Sequence, residues 1–356
     1  MNDKAKKICY VLPNFDLNID THYFYLYDFI NEVAKDLELT LLIEKSNSDI
    51  SFFKNVHKIY QQKFSWKPLR VIENFLLLFW IRLAGVKNYY IHYSYISAIN
   101  ATVIARLSGA RTFYWSCGMM WLFARDRALE FILKSINYLV TGVETLKAGY
   151  IEHYNITQDR IKIMPNWVDL ARFTNIDSTK VLEKYKLNSK GLYILFVHRL
   201  AKRKGAHYIA QLAKDNPEYK FLIAGDGPYK EDLEKEIKDL NNVIILGKVP
   251  NKDIPSLMKI SKLFFMPSEE EGFPRVLLEA MAAGLPYVAY DIGGVREISS
   301  PEQQKYIVSG VSNMDRAIKS ILSSEEEYNK LKQANLEQVK QFDIKIVKDK
   351  FSRLFS

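Results

Sequence analysis

The chain has 356 residues, enough for two domains of ordinary size, each with its own core. Hydrophobic residues make up 48% and charged residues 26%, the balance of a soluble globular protein. The net charge is +9, and the two cysteines, Cys9 and Cys117, lie too far apart for a metal-ligand spacing or a disulfide framework, which fits a reducing compartment.

The first apolar run, Ile8–Leu12, reads as a strand and is too short for the hydrophobic region of a signal peptide. A polar loop, 13–20, leads to a helix expected from Thr21 to about Lys35. Strands are then expected at Leu39–Ile43, Tyr89–His92, Thr112–Trp115 and Tyr138–Thr141, with helices at Ala98–Leu107 and Glu144–Tyr154. This alternation predicts a parallel α/β sheet, whose ligands bind beyond the carboxyl ends of its strands, here in the loops after Leu12 and Trp115. The most hydrophobic segment, Phe75–Ile81, is bracketed by Glu73 and Arg82 and is too short to span a bilayer.

Charge is concentrated between residues 51 and 125, where Lys54, Lys58, Lys63, Lys67, Arg70, Arg82, Lys87, Arg106, Arg111 and Arg125 face one acid, Glu73. Phe52, Phe53, Tyr60, Phe64, Trp66, Phe79 and Trp80 are interleaved with them. The stretch reads either as a solvated face over core aromatics or as a contact for an anionic membrane surface. No nucleic-acid module is recognisable, so nucleic acid is not an expected partner. The expected location is the cytoplasm, with peripheral contact on the inner face of the cell membrane as the option this region opens.

Residues 161–169 and the polar run to Lys190 read as a boundary. The expected domains are 1–168, 169–340 and a C-terminal helix, 341–356, packing back on the first domain. Past the boundary the pattern restarts, with strands expected at Tyr193–Val197, Lys220–Ala224, Val243–Leu246, Leu263–Met266, Tyr287–Tyr290 and Lys305–Val308. The first of these ends in a basic stretch containing Arg199 and Lys204. Two cations beside free helix N–H groups suit a diphosphate, although a basic turn is the better reading of this stretch taken alone. The second strand ends in the tight turn Gly225–Pro228.

The fourth strand runs into Ser268–Pro286, where three carboxylates crowd the approach to a helix expected to begin near Pro274. Negative charge favours a helix N-terminus, which accounts for Glu269 and Glu270. Glu271 and Glu279 remain, and a carboxylate can accept two hydrogen bonds from a vicinal diol such as ribose.

The chain resembles the retaining, nucleotide-sugar-dependent glycosyltransferases of the GT-B fold, family four (glycosyl transferases group 1). The resemblance rests on Arg199, Lys204 and Gly205, on Gly225–Pro228, on Glu271-Gly-Phe-Pro with Glu279, and on Pro165–Asp169 as a hinge element. It implies two Rossmann-like domains facing each other across a cleft, the first binding acceptor and the second binding donor.

Arg199, Lys204 and Glu271 are then the catalytic group, the two cations binding the diphosphate and Glu271 the transferred sugar. Glu279 takes the ribose. Gly225, Gly247 and Val249 line the donor, as do Gly272, Phe273, Pro274, Arg275 and Val276. Asp20, His22 and Cys117 stand on the acceptor or sugar side, Asp20 also suiting a helix cap and Cys117 a small buried side chain. His198 stands where the family usually has Gly.

No metal or other cofactor is implied. The implied reaction is retaining transfer from a UDP- or GDP-linked sugar to a hydroxyl of a glycan or lipid-linked saccharide, in cell-surface polysaccharide synthesis. A nucleotide-sugar-binding protein without transfer, and a nucleotide-sugar epimerase on the same fold, are the alternatives.

Overall fold

A computed structural model describes residues 6–18 and 24–356. The chain divides into two compact units, Met1–Pro165 with Ile344–Ser356, and Asn166–Asp343. In the first, the elements run β1 (Lys7–Leu12), α1 (Phe24–Val33), β2 (Glu38–Ile43), β3 (Lys58–Gln61), α2 (Lys67–Leu83), β4 (Asn88–His92), α3 (Tyr95–Ser108), β5 (Arg111–Trp115), α4 (Arg127–Ser135), β6 (Tyr138–Thr141), α5 (Glu144–Tyr154) and β7 (Ile161–Ile163). The seven strands are parallel in the order β3-β2-β1-β4-β5-β6-β7. Helices between consecutive parallel strands cover both faces of such a sheet, so its strands read as continuous apolar runs. In β1 every residue after Lys7 is buried.

Local chemistry sets the helix ends. Ser94 Oγ caps α3 by accepting the Ser97 N–H at 3.2 Å, and Gly109 ends the helix in the left-handed conformation. Asp126 caps α4 through the N–H groups of Ala128 and Leu129 at 2.9 and 3.0 Å.

The second unit runs α6 (Thr179–Lys184), β8 (Tyr193–Val197), α7 (Ile209–Asp215), β9 (Lys220–Ala224), α8 (Lys230–Glu236), β10 (Val243–Gly247), α9 (Ile254–Ile260), β11 (Ser261–Met266), α10 (Arg275–Ala282), β12 (Tyr287–Tyr290), α11 (Val295–Ile298), β13 (Ile307–Val308), α12 (Val311–Leu322) and α13 (Glu325–Gln338). Its sheet is parallel in the order β10-β9-β8-β11-β12-β13. The strand order reverses between β8 and β11. At such a switch point the crossover connections leave toward opposite faces of the sheet, and ligands bind at the carboxyl ends of the strands.

The last helix, α14 (Ile344–Arg353), belongs to the first unit. Ile344, Val347 and Phe351 recur at helical spacing and are buried. Phe351 packs edge-on against Tyr90 at 4.8 Å between ring centroids and Phe29 at 5.4 Å, and Phe355 against Phe113 at 4.8 Å.

The expected strands are present with boundaries shifted by a few residues at most. Two parts of the sequence reading need correction. The 51–87 stretch holds β3 and α2, neither of which the periodicity exposed. Residues 161–163, read as part of the domain boundary, form β7 and pair with β6. The start of the helix expected at Thr21 lies outside the described residues, which resume at Phe24.

Candidate functional site

Because β8 and β11 are neighbours, the loops leaving them meet, although some 70 residues separate them in sequence. The loop after β8 carries His198, Arg199 and Lys204; the loop after β11 carries Ser268–Phe273. Gly205 lets them close. Its φ is +75°, and a Cβ there would sit 2.1 Å from the Pro267 carbonyl oxygen.

At the meeting point Lys204, only 9% exposed, donates to Glu271 Oε1 at 2.7 Å and to the Glu270 carbonyl at 2.7 Å. The same Glu271 oxygen lies 2.9 Å from His198 Nε2. His198 Nδ1 accepts the Arg199 N–H at 2.7 Å, so the ring proton sits on Nε2 and is donated to Glu271. Burial alone would raise the Glu271 carboxyl. His198 and then Lys204 outweigh it and hold the group at about 2. The cluster is a buried ion pair with the His198 imidazole completing it. Removing one partner of such a pair costs about 3–5 kcal/mol, because the other charge is left buried.

Glu279, the fifth residue of α10, forms a separate center. It is 7% exposed and lies 4.0 Å from Arg275, its neighbour one helical turn back. Burial raises its carboxyl, and the charges of Arg275 and Arg172 only partly offset that. Arg172 is itself fixed by Asn251, through the backbone oxygen at 3.1 Å and Oδ1 at 2.5 Å. The two carboxylates are thus shifted in opposite directions: donors lower Glu271, whereas burial raises Glu279.

Arg199 is exposed on the β8 loop beside this cluster. Gly225 stands against that loop backbone to backbone, and a Cβ on it would meet the His198 carbonyl oxygen at 1.9 Å. Gly247 ends β10 and Val249 is half-buried after it. Gly272 accepts the Gly294 N–H at 3.0 Å, and the Phe273 carbonyl accepts from Asn166 at 3.2 Å. Pro274 is the extended N-cap of α10 rather than a member of its first turn, and Arg275 and Val276 are half-buried at the helix start.

Glu269 and Glu270 are not helix-start charges. Glu270 pairs with Arg203 at 3.0 Å, and Glu269 accepts from the Tyr208 hydroxyl at 2.7 Å, so both tie the two loops together. His198 is the member that the sequence marked only as a departure, with no role attached. Its only signal was a side chain where the resemblance had Gly.

In the first unit, Cys117 is half-buried, and Asp20 and His22 lie outside the described residues. Three polar atoms at the carboxyl ends of adjacent strands, His92 Nε2, Trp115 Nε1 and Thr141 Oγ1, are buried with no hydrogen-bond partner. Burial holds the His92 ring neutral, at about 3. Among the described residues no group of three or more His, Cys, Asp or Glu side chains is placed to hold a metal ion.

The two sheets and their strand orders define the GT-B class of glycosyltransferase folds, and whole-chain likenesses agree. A glycosyltransferase from Rickettsia africae superposes with a TM-score of 0.79 at 19% identity, covering 99% of this chain and 98% of the other. The Anabaena protein HepE, solved in complex with UDP, gives 0.78 at 16% identity, covering 98% and 99%. At these identities the likeness concerns the fold.

Residues 177–338 match the model of the family described as Glycosyl transferases group 1, so the resemblance to that family holds and is carried by the second unit. Among curated relatives, the alpha-D-kanosaminyltransferase of Streptomyces kanamyceticus is 35% identical over 132 residues, 35% of this chain and 34% of the relative. The UDP-Gal:alpha-D-GlcNAc-diphosphoundecaprenol alpha-1,3-galactosyltransferase of Escherichia coli is 31% identical over 175 residues, 46% and 44%. The matches thus span a third to a half of these relatives' length.

Proposed function

We propose that the protein is a retaining, metal-independent glycosyltransferase. It moves a sugar from a UDP- or GDP-linked donor to a hydroxyl of a glycan or lipid-linked saccharide in cell-surface polysaccharide synthesis. The observation that carries this reading is the buried Lys204–Glu271–His198 cluster at the β8/β11 switch point, with Glu279 as a separate buried carboxylate on α10. The name of the Escherichia coli relative, a galactosyl transfer from a UDP sugar to a diphosphoundecaprenol-linked sugar, supports the donor and acceptor classes.

In this reading Lys204 has one ammonium proton beyond its two protein contacts, and it directs that proton, with the Arg199 guanidinium, at the donor diphosphate. Glu271 Oε2, which the protein contacts leave open, accepts a hydroxyl of the transferred sugar. Glu279, poorly solvated as an anion, gains two hydroxyl donors when the ribose arrives. The backbone from Gly272 to Val276, with Gly225, Gly247 and Val249, completes the donor side.

The acceptor oxygen bonds to the anomeric carbon on the face from which the diphosphate leaves. The carbon–oxygen bond to the diphosphate breaks with its electron pair, and the acceptor proton passes to the leaving phosphate. Charge builds on the diphosphate as that bond breaks, and two fixed cations there lower the barrier without reorganising. The further partner in this reading is an anionic membrane surface, met by the basic 51–125 stretch.

Lys204→Ala and Glu279→Ala should each cut transfer at least 100-fold with the fold retained, read as product from radiolabelled UDP- and GDP-sugars. Full activity in both variants overturns the assignment. Chelation with EDTA should leave the rate unchanged.

A further inference from the structure

α2 is apolar on its outward face as well as on part of its inward one. Its inward face carries Arg70, bonded to the buried Glu44 carboxylate at 2.9 Å, and the fully buried Asn74, bonded to Ser97 at 2.8 Å and to Asn100 at 2.9 Å, followed by Leu78 and Ile81. Its outward face carries Leu69, Ile72, Leu76, Trp80 and Leu83, all exposed and spaced by three or four residues, so they form one stripe. Alongside lies α3, joined to α2 by the Asn74–Asn100 bond and by Arg82 to Ser108 at 3.0 Å. It adds Ile99, Val103 and the 83%-exposed Leu107 at four-residue intervals. Scattered exposed leucines are ordinary, but an exposed apolar stripe on each of two neighbouring helices, left over after both have given apolar residues to the core, is not.

Charge identifies the occupant. Lys63 and Lys67 flank the start of α2, Lys87 follows its end, and Arg106 sits on the exposed side of α3. The sole acid of the stretch, Glu73, is turned onto the backbone N–H groups of Lys63 at 2.9 Å and Phe64 at 3.1 Å. Two exposed indoles, Trp66 and Trp80, stand near opposite ends of the helix, about 21 Å apart at 1.5 Å per residue. Cations and indoles at both ends of an apolar stripe match a helix lying in the plane of an anionic interface. Among the described residues no helix is long and apolar enough to cross a membrane. Pairing this face with a second copy of the chain would set the same cations against one another, which disfavours a dimer.

Not every aromatic of the 51–125 stretch contributes. Phe53 is buried and Phe52 half-buried, both packed around Phe15, so they belong to the core.

We infer that the α2–α3 face is a monotopic docking surface for an anionic lipid bilayer, with α2 lying in the plane of the headgroups. It concerns the first unit alone and does not depend on the donor reading, because the test reads vesicle binding rather than transfer. The full chain is floated with phosphatidylcholine vesicles with and without phosphatidylglycerol. Two variants that leave the buried polar network intact are compared with it, Leu76→Glu with Trp80→Glu, and Lys63→Ser with Lys67→Ser, each checked for an unchanged thermal transition.

The expected result is binding to the anionic vesicles that weakens with salt. The glutamate pair should lose it at least tenfold, and the serine pair should lose mainly the preference for anionic lipid. Equal binding to both vesicle types, no loss in the glutamate pair, or a salt-stable dimer abolished by that pair with no vesicle binding would each overturn the proposal.

Discussion

Glu271 and Glu279 belong to one motif, yet the fold treats them in opposite ways, and pH separates them. The folded Glu271 carboxyl is held near 2, below its ordinary value. Its contribution is therefore complete above about pH 4.5 and is lost as the pH falls toward 2. The stability gap between the wild type and Glu271→Gln should be widest at neutral pH and close over that interval. Amide exchange in β8 and β11 reads it, since a two-unit chain need not melt in one step.

Glu279 is raised, so its ionisation works against folding as pH climbs. Glu279→Gln should equal or exceed the wild type by up to about 2 kcal/mol at pH 7. It should at the same time lose the donor-induced rise in melting temperature. An unliganded variant less stable than the wild type would contradict this. The motif positions of Lys204, Glu271 and Glu279 were legible in the sequence. That Lys204 and Glu271 touch was not, because only the pairing of β11 with β8 brings them together. His198 was visible as an oddity, without the Arg199 N–H that fixes its tautomer. His198→Gly should keep Glu271 ionised through Lys204 and lower kcat more than it raises KM, as measured in steady-state assays across pH.

At the scale of elements, the crevice depends on two loops whose backbones nearly touch. Gly205→Ala must force a left-handed backbone on a residue whose Cβ meets the Pro267 carbonyl. A loss of more than 2 kcal/mol is expected, with donor binding lost alongside, as read by denaturant titration and calorimetry. Phe351→Ala on α14 removes a ring packed on Tyr90 and Phe29 and should cost the first unit about 3–5 kcal/mol, leaving the second unit's transition in place. α14 was legible because its apolar residues recur at helical spacing. α2 was not, because apolar side chains line its outward face as well as part of its inward one and blur the period that marks an amphipathic helix.

At the scale of the whole chain, both sheets open with one topology: the first three strands lie in reverse order and the fourth lies beside the first. Alternating strands and helices made the parallel α/β class readable, since short crossovers leave few other arrangements. Boundaries were harder, because β7 has only three residues and passes for linker. Donor identity belongs at this scale too. Saturating UDP- or GDP-sugar should raise the second unit's transition by mass action, and the nucleotide giving the larger shift at equal concentration names the base.

The return of α14 to the first unit has a consequence for synthesis. Tyr10, Tyr90 and Phe113 are translated early, but the rings that cover them lie beyond residue 343. At about 5–20 residues per second the ribosome takes roughly ten to forty seconds to make the intervening second unit. During that time an apolar seat waits uncovered on a nascent chain, a window in which chaperones have something to hold.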